Sequence, residues 1–202
     1  MSASTVDTQD LERRLRRARI VPVVRVADAE DARRLVERLL LAGIDVIELT
    51  TTIAGWQEMA STIRAEHPEV CLGVGTVSTA LLAREAIDAG AHFCVSPRLV
   101  PAARAELEAA GVPFLEGGLT PTEVLDAASR GIAKLFPAHV GGVRYLASLL
   151  AVEPQARIMP TGGIPLGEVV AWLRAGAVAV GVGSDLTAPG DVAGRVREAL
   201  GE

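Results

Sequence analysis

Short, almost wholly apolar runs alternate along the chain with alanine- and leucine-rich segments. In the longer segments apolar residues recur at helical spacing, while the short runs stay apolar throughout, as in strands covered on both faces. A leading helix is predicted over about 8–18, followed by a first strand at Ile20-Val-Pro-Val-Val-Arg25. Further strands are predicted at 46–49, 71–75, 93–96 and 113–117, in the run ending at Lys134, and at 157–160 and 178–182. Helices are predicted between them at 28–42, 56–67, 79–89, 101–110, from Thr120 onward, at 143–150, 165–175 and 191–200. Gly43, Gly90, Gly111 and Gly176 stand at helix stops, and Thr120-Pro121-Thr122-Glu123 has the spacing of a capping box.

Eight strand–helix units without a linker predict a parallel α/β fold built as one domain over 1–202. The natural closure is a (β/α)8 TIM barrel over 20–202 behind an extra N-terminal helix within 1–19, although such barrels typically run to about 250 residues. A doubly wound open sheet is the alternative. Against it, Arg25-Val-Ala-Asp follows the first strand where a dinucleotide-binding glycine fingerprint would stand.

Composition narrows the function. Half of the 202 residues are hydrophobic and 22% are charged, enough for a sizeable core. The net charge of -5 argues against a nucleic-acid partner. No stretch is long and apolar enough to span a membrane and the first residues lack an apolar signal core, so a cytoplasmic protein is expected. Cys71 and Cys94 lie in apolar runs without metal-ligand spacing and read as core thiols in a reducing compartment. The run of arginines from Arg13 to Arg19 reads as the solvated face of the leading helix.

Of the 20 basic residues, 19 are arginine, and Lys134 is the one lysine. A positive charge alone does not explain it, because this chain uses arginine for that purpose. Arginine stays protonated, whereas a desolvated lysine can lose its proton at about pH 7–8 and attack a carbonyl. The bland reading is a lysine that snorkels from a strand end to water.

Polar residues recur at the C-terminal strand ends, where barrel chemistry collects: Arg25, Glu48, Gly75-Thr76, Ser96-Pro97, Gly117-Gly118, Lys134, Thr161-Gly162-Gly163 and Gly183-Ser184. Glu48 lies inside an apolar strand, as a structural partner of Arg25 or Lys134 or as a general acid/base with raised pKa. The glycines after the last two strands suit a phosphate or need only tight turns. Gly75-Thr76 suits a carboxylate, which Arg25 could clamp, or Arg25 could pair with Glu48. His139 either lines the mouth or faces water, and neither His67 nor His92 suggests a metal.

Seven ordered blocks resemble the KDPG (2-keto-3-deoxy-6-phosphogluconate) and 4-hydroxy-2-oxoglutarate aldolase family. They are Val46-Ile-Glu-Leu-Thr50, Gly73-Val-Gly-Thr-Val77, Val95-Ser-Pro97, Thr120-Pro-Thr-Glu123, Lys134-Leu-Phe-Pro137, Pro160-Thr-Gly-Gly-Ile164 and Val180-Gly-Val-Gly-Ser184. The resemblance implies a class I lyase working without metal or cofactor, with Lys134 as Schiff-base nucleophile and Glu48 as proton shuttle. It implies a pyruvyl site of Arg25, Thr76, Pro97, Phe136 and Thr161, and a phosphate site of Gly162, Gly163, Gly183 and Ser184. It also implies a small 2-oxo acid substrate and a homotrimer.

Thr52, Glu116, Arg98 and His139 depart from the family pattern, and are expected near the mouth, where they bear on substrate identity. Asp185, beside Ser184, could weaken phosphate binding or point into a helix start. Within the family, the 6-phosphogalactonate epimer and 4-hydroxy-2-oxoglutarate are alternative substrates. A sugar-phosphate isomerase or epimerase, or a non-catalytic binding protein, are the readings outside it.

Overall fold

The structure, a computed structural model, describes residues 6–188 and 190–201. The sequence reading of residues 1–5 and both chain ends of the expected domain lie outside them. Helix α1 (Thr8–Ala18) is followed by β1 (Ile20–Val24), α2 (Ala29–Leu41), β2 (Val46–Thr50), α3 (Trp56–Glu66), β3 (Cys71–Gly75), α4 (Ala80–Asp88) and β4 (Phe93–Val95). Then come α5 (Pro101–Ala110), β5 (Phe114–Leu115), β6 (Gly117–Gly118), α6 (Pro121–Arg130), β7 (Ile132–Leu135), α7 (Gly142–Val152) and β8 (Arg157–Pro160). The chain ends through α8 (Val169–Arg174), β9 (Val180–Val182), α9 (Ser184–Thr187) and α10 (Val192–Leu200).

Local chemistry sets these boundaries. Asp7, Asp28 and Thr79 each accept the backbone N–H three residues on, which satisfies a donor that the first helical turn leaves orphaned. The capping box at Thr120 forms in both directions, with Glu123 accepting the Thr120 N–H at 2.9 Å.

All strand pairs are parallel among the described residues. One sheet has the order β5-β4-β3-β2-β1-β9 and the other β6-β7-β8. A parallel bridge between Thr161 and Gly181 joins the end of β8 to β9. The result is a parallel, curled sheet with helices on its outer side.

Period-2 alternation divides the strand residues between two apolar layers. Ile47, Leu49, Leu72, Val74, Ala133 and Leu135 pack outward against the helices. Val21, Val46, Cys71, Phe93, Leu115, Ile132 and Met159 form the inner layer, and Val6, Leu11 and Leu15 join it, so α1 covers one end of the curl.

Two expectations change. The predicted strand 113–117 divides into β5 and β6 at Glu116, although the Glu116 carbonyl still accepts the Lys134 N–H at 2.8 Å. The predicted helix 165–175 opens as a 3-10 turn over Leu166–Glu168 before α8 begins, with Asp185 accepting the Leu166 N–H at 2.9 Å.

Candidate active site

Alternation also places the ionisable pair. Val46 and Ile132 face the interior, so Glu48 and Lys134, each two residues on, face it as well and one step nearer the open end. The two side chains come from different sheets, yet Lys134 Nζ stands 3.6 Å from Glu48 Oε1. Glu48 is 1% exposed and Lys134 is 4% exposed. The snorkelling lysine is therefore excluded.

Space for the Glu48 carboxylate is made by Gly75 on the neighbouring strand, where a Cβ would overlap it. Neither Glu48 oxygen has a hydrogen-bond partner among the described residues, and neither does the Thr161 hydroxyl. Buried polar groups in folded proteins are nearly always satisfied, so three such atoms together mark a place completed by something other than the chain. The Phe136 ring lies 5.5 Å from Lys134 Nζ, near the limit at which a ring face attracts an ammonium.

A cavity of about 620 Å³ opens above this pair. It is lined by Arg25, Thr76, Pro97, Lys134, Phe136, Thr161, Gly162, Gly163, Gly183 and Ser184, together with Val23 and Ile164. Lys134 and every residue expected in the pyruvyl and phosphate sites are thus at the cavity wall, whereas Glu48 is not among its lining and stands beside Lys134. Val23 and Ile164 were missed. Alternation from Val21 could have found Val23, whereas Ile164 follows the two glycines with no polar signal.

Arg25 does not pair with Glu48. Its Nη1 donates to Thr52 Oγ1 at 3.3 Å and its Nη2 to Thr76 Oγ1 at 3.1 Å. Thr76 has φ of 65°, the left-handed region that a β-branched residue rarely adopts. Such an outlier at a cavity wall is strain held where a ligand would bind.

At the far wall, Gly162 and Gly163 have φ of 96° and 68°. His139 is exposed, and its Nδ1 lies 3.2 Å from the Gly162 carbonyl, beside this loop. Asp185 is engaged with the Leu166 N–H, as the helix-start reading expects.

Glu116 corrects its expected place near the mouth. Leu115 faces inward, so Glu116 faces outward, where its carboxylate accepts the Val100 N–H at 2.8 Å and bonds from Arg104 at 2.6 Å and Arg130 at 3.2 Å. It anchors the start of α5, which has no side-chain cap of its own. Arg98 donates to the carbonyls of Leu99 and Ser78 and does not line the cavity. His67 lies 3.4 Å from Glu69, and His92 is buried at the opposite end of the sheet. No group of three or more His, Cys, Asp or Glu able to hold a metal occurs among the described residues. Nor is any helix of the described residues long and apolar enough to cross a membrane.

A parallel α/β scaffold with an amine, a carboxylate and a cavity of mixed lining at its strand ends defines an enzyme. Its kind is given by comparison with known proteins. The chain belongs to the KDPG and KHG aldolase family, whose model matches residues 11–194. A 2-dehydro-3-deoxy-phosphogluconate aldolase of Treponema pallidum is 37% identical over 162 residues, spanning 79% of this chain and 77% of that protein. The solved structure of a 4-hydroxy-2-oxoglutarate/2-dehydro-3-deoxyphosphogluconate aldolase is 36% identical and superposes with a TM-score of 0.83, covering 93% of this chain and 96% of that one. The KDPG aldolase of Legionella pneumophila, solved with pyruvate captured at low pH as a covalent carbinolamine, is 25% identical with a TM-score of 0.80, over 93% and 95% of the two chains.

Proposed function

We propose that the chain is a class I lyase that cleaves 2-keto-3-deoxy-6-phosphogluconate to pyruvate and glyceraldehyde 3-phosphate. 4-Hydroxy-2-oxoglutarate, cleaved to pyruvate and glyoxylate, is the second substrate. The observation that carries this reading is the buried Lys134–Glu48 pair, 3.6 Å apart beneath the cavity.

Lys134 Nζ adds to the C2 carbonyl to give a carbinolamine, and loss of water gives a protonated imine. Glu48, whose two oxygens have no partner in the protein, moves the protons of that dehydration. Removal of the C4 hydroxyl proton then breaks the C3–C4 bond. Its electron pair enters the imine, giving an enamine on Lys134 and a free aldehyde. Protonation at C3 and addition of water to the imine release pyruvate and return the amine. The imine is the electron sink that another enzyme would obtain from a metal.

Arg25 and Thr76 take the substrate carboxylate, with Pro97, Phe136 and Thr161 around the pyruvyl carbons. Gly162, Gly163, Gly183 and Ser184 take the distal phosphate, supported by the open backbone of the two positive-φ glycines. We read the chain as one domain over 1–202 whose two sheets close into a complete (β/α)8 barrel. The short Lys134–Glu48 separation supports closure: β2 and β7 are four strand positions apart by either route around the sheets, which in a flat sheet would be roughly 19 Å. A homotrimer in the cytoplasm, acting without metal or cofactor, accompanies this reading.

Pyruvate release from 2-keto-3-deoxy-6-phosphogluconate, followed through lactate dehydrogenase and NADH, tests the function. The wild type turns over and Lys134→Met does not. An inactive, folded wild type, or a Lys134→Met variant that still releases pyruvate, would overturn the reading. An isomerase on the same scaffold would consume the sugar phosphate without releasing pyruvate.

A further inference from the structure

The end of β2 carries three consecutive threonines, Thr50, Thr51 and Thr52, and each hydroxyl bonds toward the cavity wall or its support. We propose that this run is the positioning device of the carboxylate subsite, with Thr52 and Thr50 aiming Arg25 and Thr51 holding Thr76. The inference rests on the aldolase reading, which assigns Arg25 and Thr76 to the 2-oxo acid carboxylate.

The bonds fix a direction. Arg25 can only donate, so Thr52 Oγ1 accepts its Nη1–H at 3.3 Å. Thr50 is fully buried, and its Oγ1 donates to the Val24 carbonyl at 3.1 Å. Its one proton is thereby committed. In the 2.8 Å contact between Thr50 and Thr52 hydroxyls, Thr52 is therefore the donor. A single chain runs from guanidinium to Thr52, to Thr50, to a backbone carbonyl of β1, the strand that delivers Arg25.

The second branch serves Thr76. Its φ of 65° is unfavourable for a β-branched residue and needs support from outside. Thr51 Oγ1 donates to the Thr76 carbonyl at 3.1 Å, and the Thr51 N–H donates to the Gly75 carbonyl at 2.9 Å. Thr76 Oγ1 accepts from Arg25, so its own proton is left to donate to a ligand. The two branches meet at one point: an Arg25 N–H and the Thr76 O–H presented to the same anionic group. Placing such groups in advance is what lets binding free energy appear as affinity and not be lost to ordering.

The test is borohydride trapping of pyruvate on Lys134, measured as a function of pyruvate concentration in the wild type, Thr52→Val, Thr52→Ser, Thr50→Val, Thr51→Val and the Thr50→Val/Thr52→Val double variant. For Thr52→Val the half-saturating pyruvate concentration is expected to rise about fivefold, the scale of one net hydrogen bond, with the maximal trapping rate within about twofold of wild type. Thr52→Ser restores the wild-type value. The double variant is no worse than Thr52→Val, because both substitutions break one chain. Thr51→Val also raises the half-saturating concentration.

A purely structural role predicts lower melting temperatures with unchanged saturation, and unchanged saturation in Thr52→Val overturns the inference. So does a Thr52→Ser no better than Thr52→Val, or a double variant whose effects add. Thr52 is exposed, so its variants have no core to disturb. A wild type that takes no label sinks the aldolase reading and this inference with it, whereas a labelled wild type with indifferent variants sinks the inference alone.

Discussion

At the end of the sheet covered by α1, the buried His92 is tied to the chain at its ring and its backbone: its Nδ1 accepts the Leu72 N–H at 3.0 Å, while its own backbone N–H donates to the Leu72 carbonyl at 2.8 Å. At the open end, Glu48 is more deeply buried still and neither oxygen is bonded. The same contrast holds for backbone and for reactivity. Burial pushes the Cys71 thiol at the covered end up to about 12, and so keeps it an unreactive core residue. The open end keeps Thr76 in the left-handed region and places an amine beneath a cavity. One end bonds the buried His92 Nδ1 to its own backbone, and the other leaves both oxygens of a buried carboxylate beside a cavity.

Substitutions can break this contrast from either side. The largest effect is expected at the open end, where Glu48→Gln should lower kcat/KM for substrate cleavage by roughly 100- to 10,000-fold, the range of a lost proton shuttle. Its thermal stability should fall as well, because Lys134 Nζ, 3.6 Å away in the same buried site, loses the carboxylate it is paired with. Steady-state kinetics and calorimetry on one sample check both. A stable variant of unchanged activity would remove Glu48 from the mechanism.

At the covered end stability alone should respond. Leu15 is fully buried in the inner layer, and Leu15→Ala should cost about 2–5 kcal/mol of stability by leaving a cavity. Its kcat/KM, measured well below the melting point, should stay within about twofold of wild type. Urea unfolding with parallel kinetics decides this.

A smaller effect is expected from pH. Burial, with the nearby Arg64 and Arg14, brings the His92 pKa from 6.5 down to about 4. The unfolded chain therefore takes up a proton that the folded one refuses. This contribution to stability is complete above about pH 6.5 and is lost progressively as pH falls toward 4. His92→Gln can still accept the Leu72 N–H but cannot titrate, so its unfolding midpoint should fall less steeply across that window. Equal slopes for the two proteins would place the acid sensitivity elsewhere.

Much of this was legible because alternation and capping act locally. The helix Pro101–Ala110, the Gly111 stop, the Thr120 capping box and the strand Cys71–Gly75 lie where local spacing places them. The lone lysine and a carboxylate within an apolar strand mark both members of the pair in the sequence itself. Glu116 was misplaced because proximity to a strand end was allowed to outweigh alternation: Leu115 inward requires Glu116 outward. Thr52 stands out in the sequence as a departure, but the bonding of the threonine run is not legible there for a different reason. Its partners Val24, Arg25 and Thr76 are 25 to 27 residues away for Thr50, Thr51 and Thr52, and only the packing of β1, β2 and β3 brings them together.

The most direct test of the account is reduction with borohydride in the presence of pyruvate, followed by peptide mass mapping of the wild type and Lys134→Arg. With one lysine in the chain, the site of labelling is unambiguous. The account predicts a reduced pyruvyl adduct on the peptide containing Lys134, absent from the variant. A folded, pyruvate-saturated wild type that carries no adduct would contradict it.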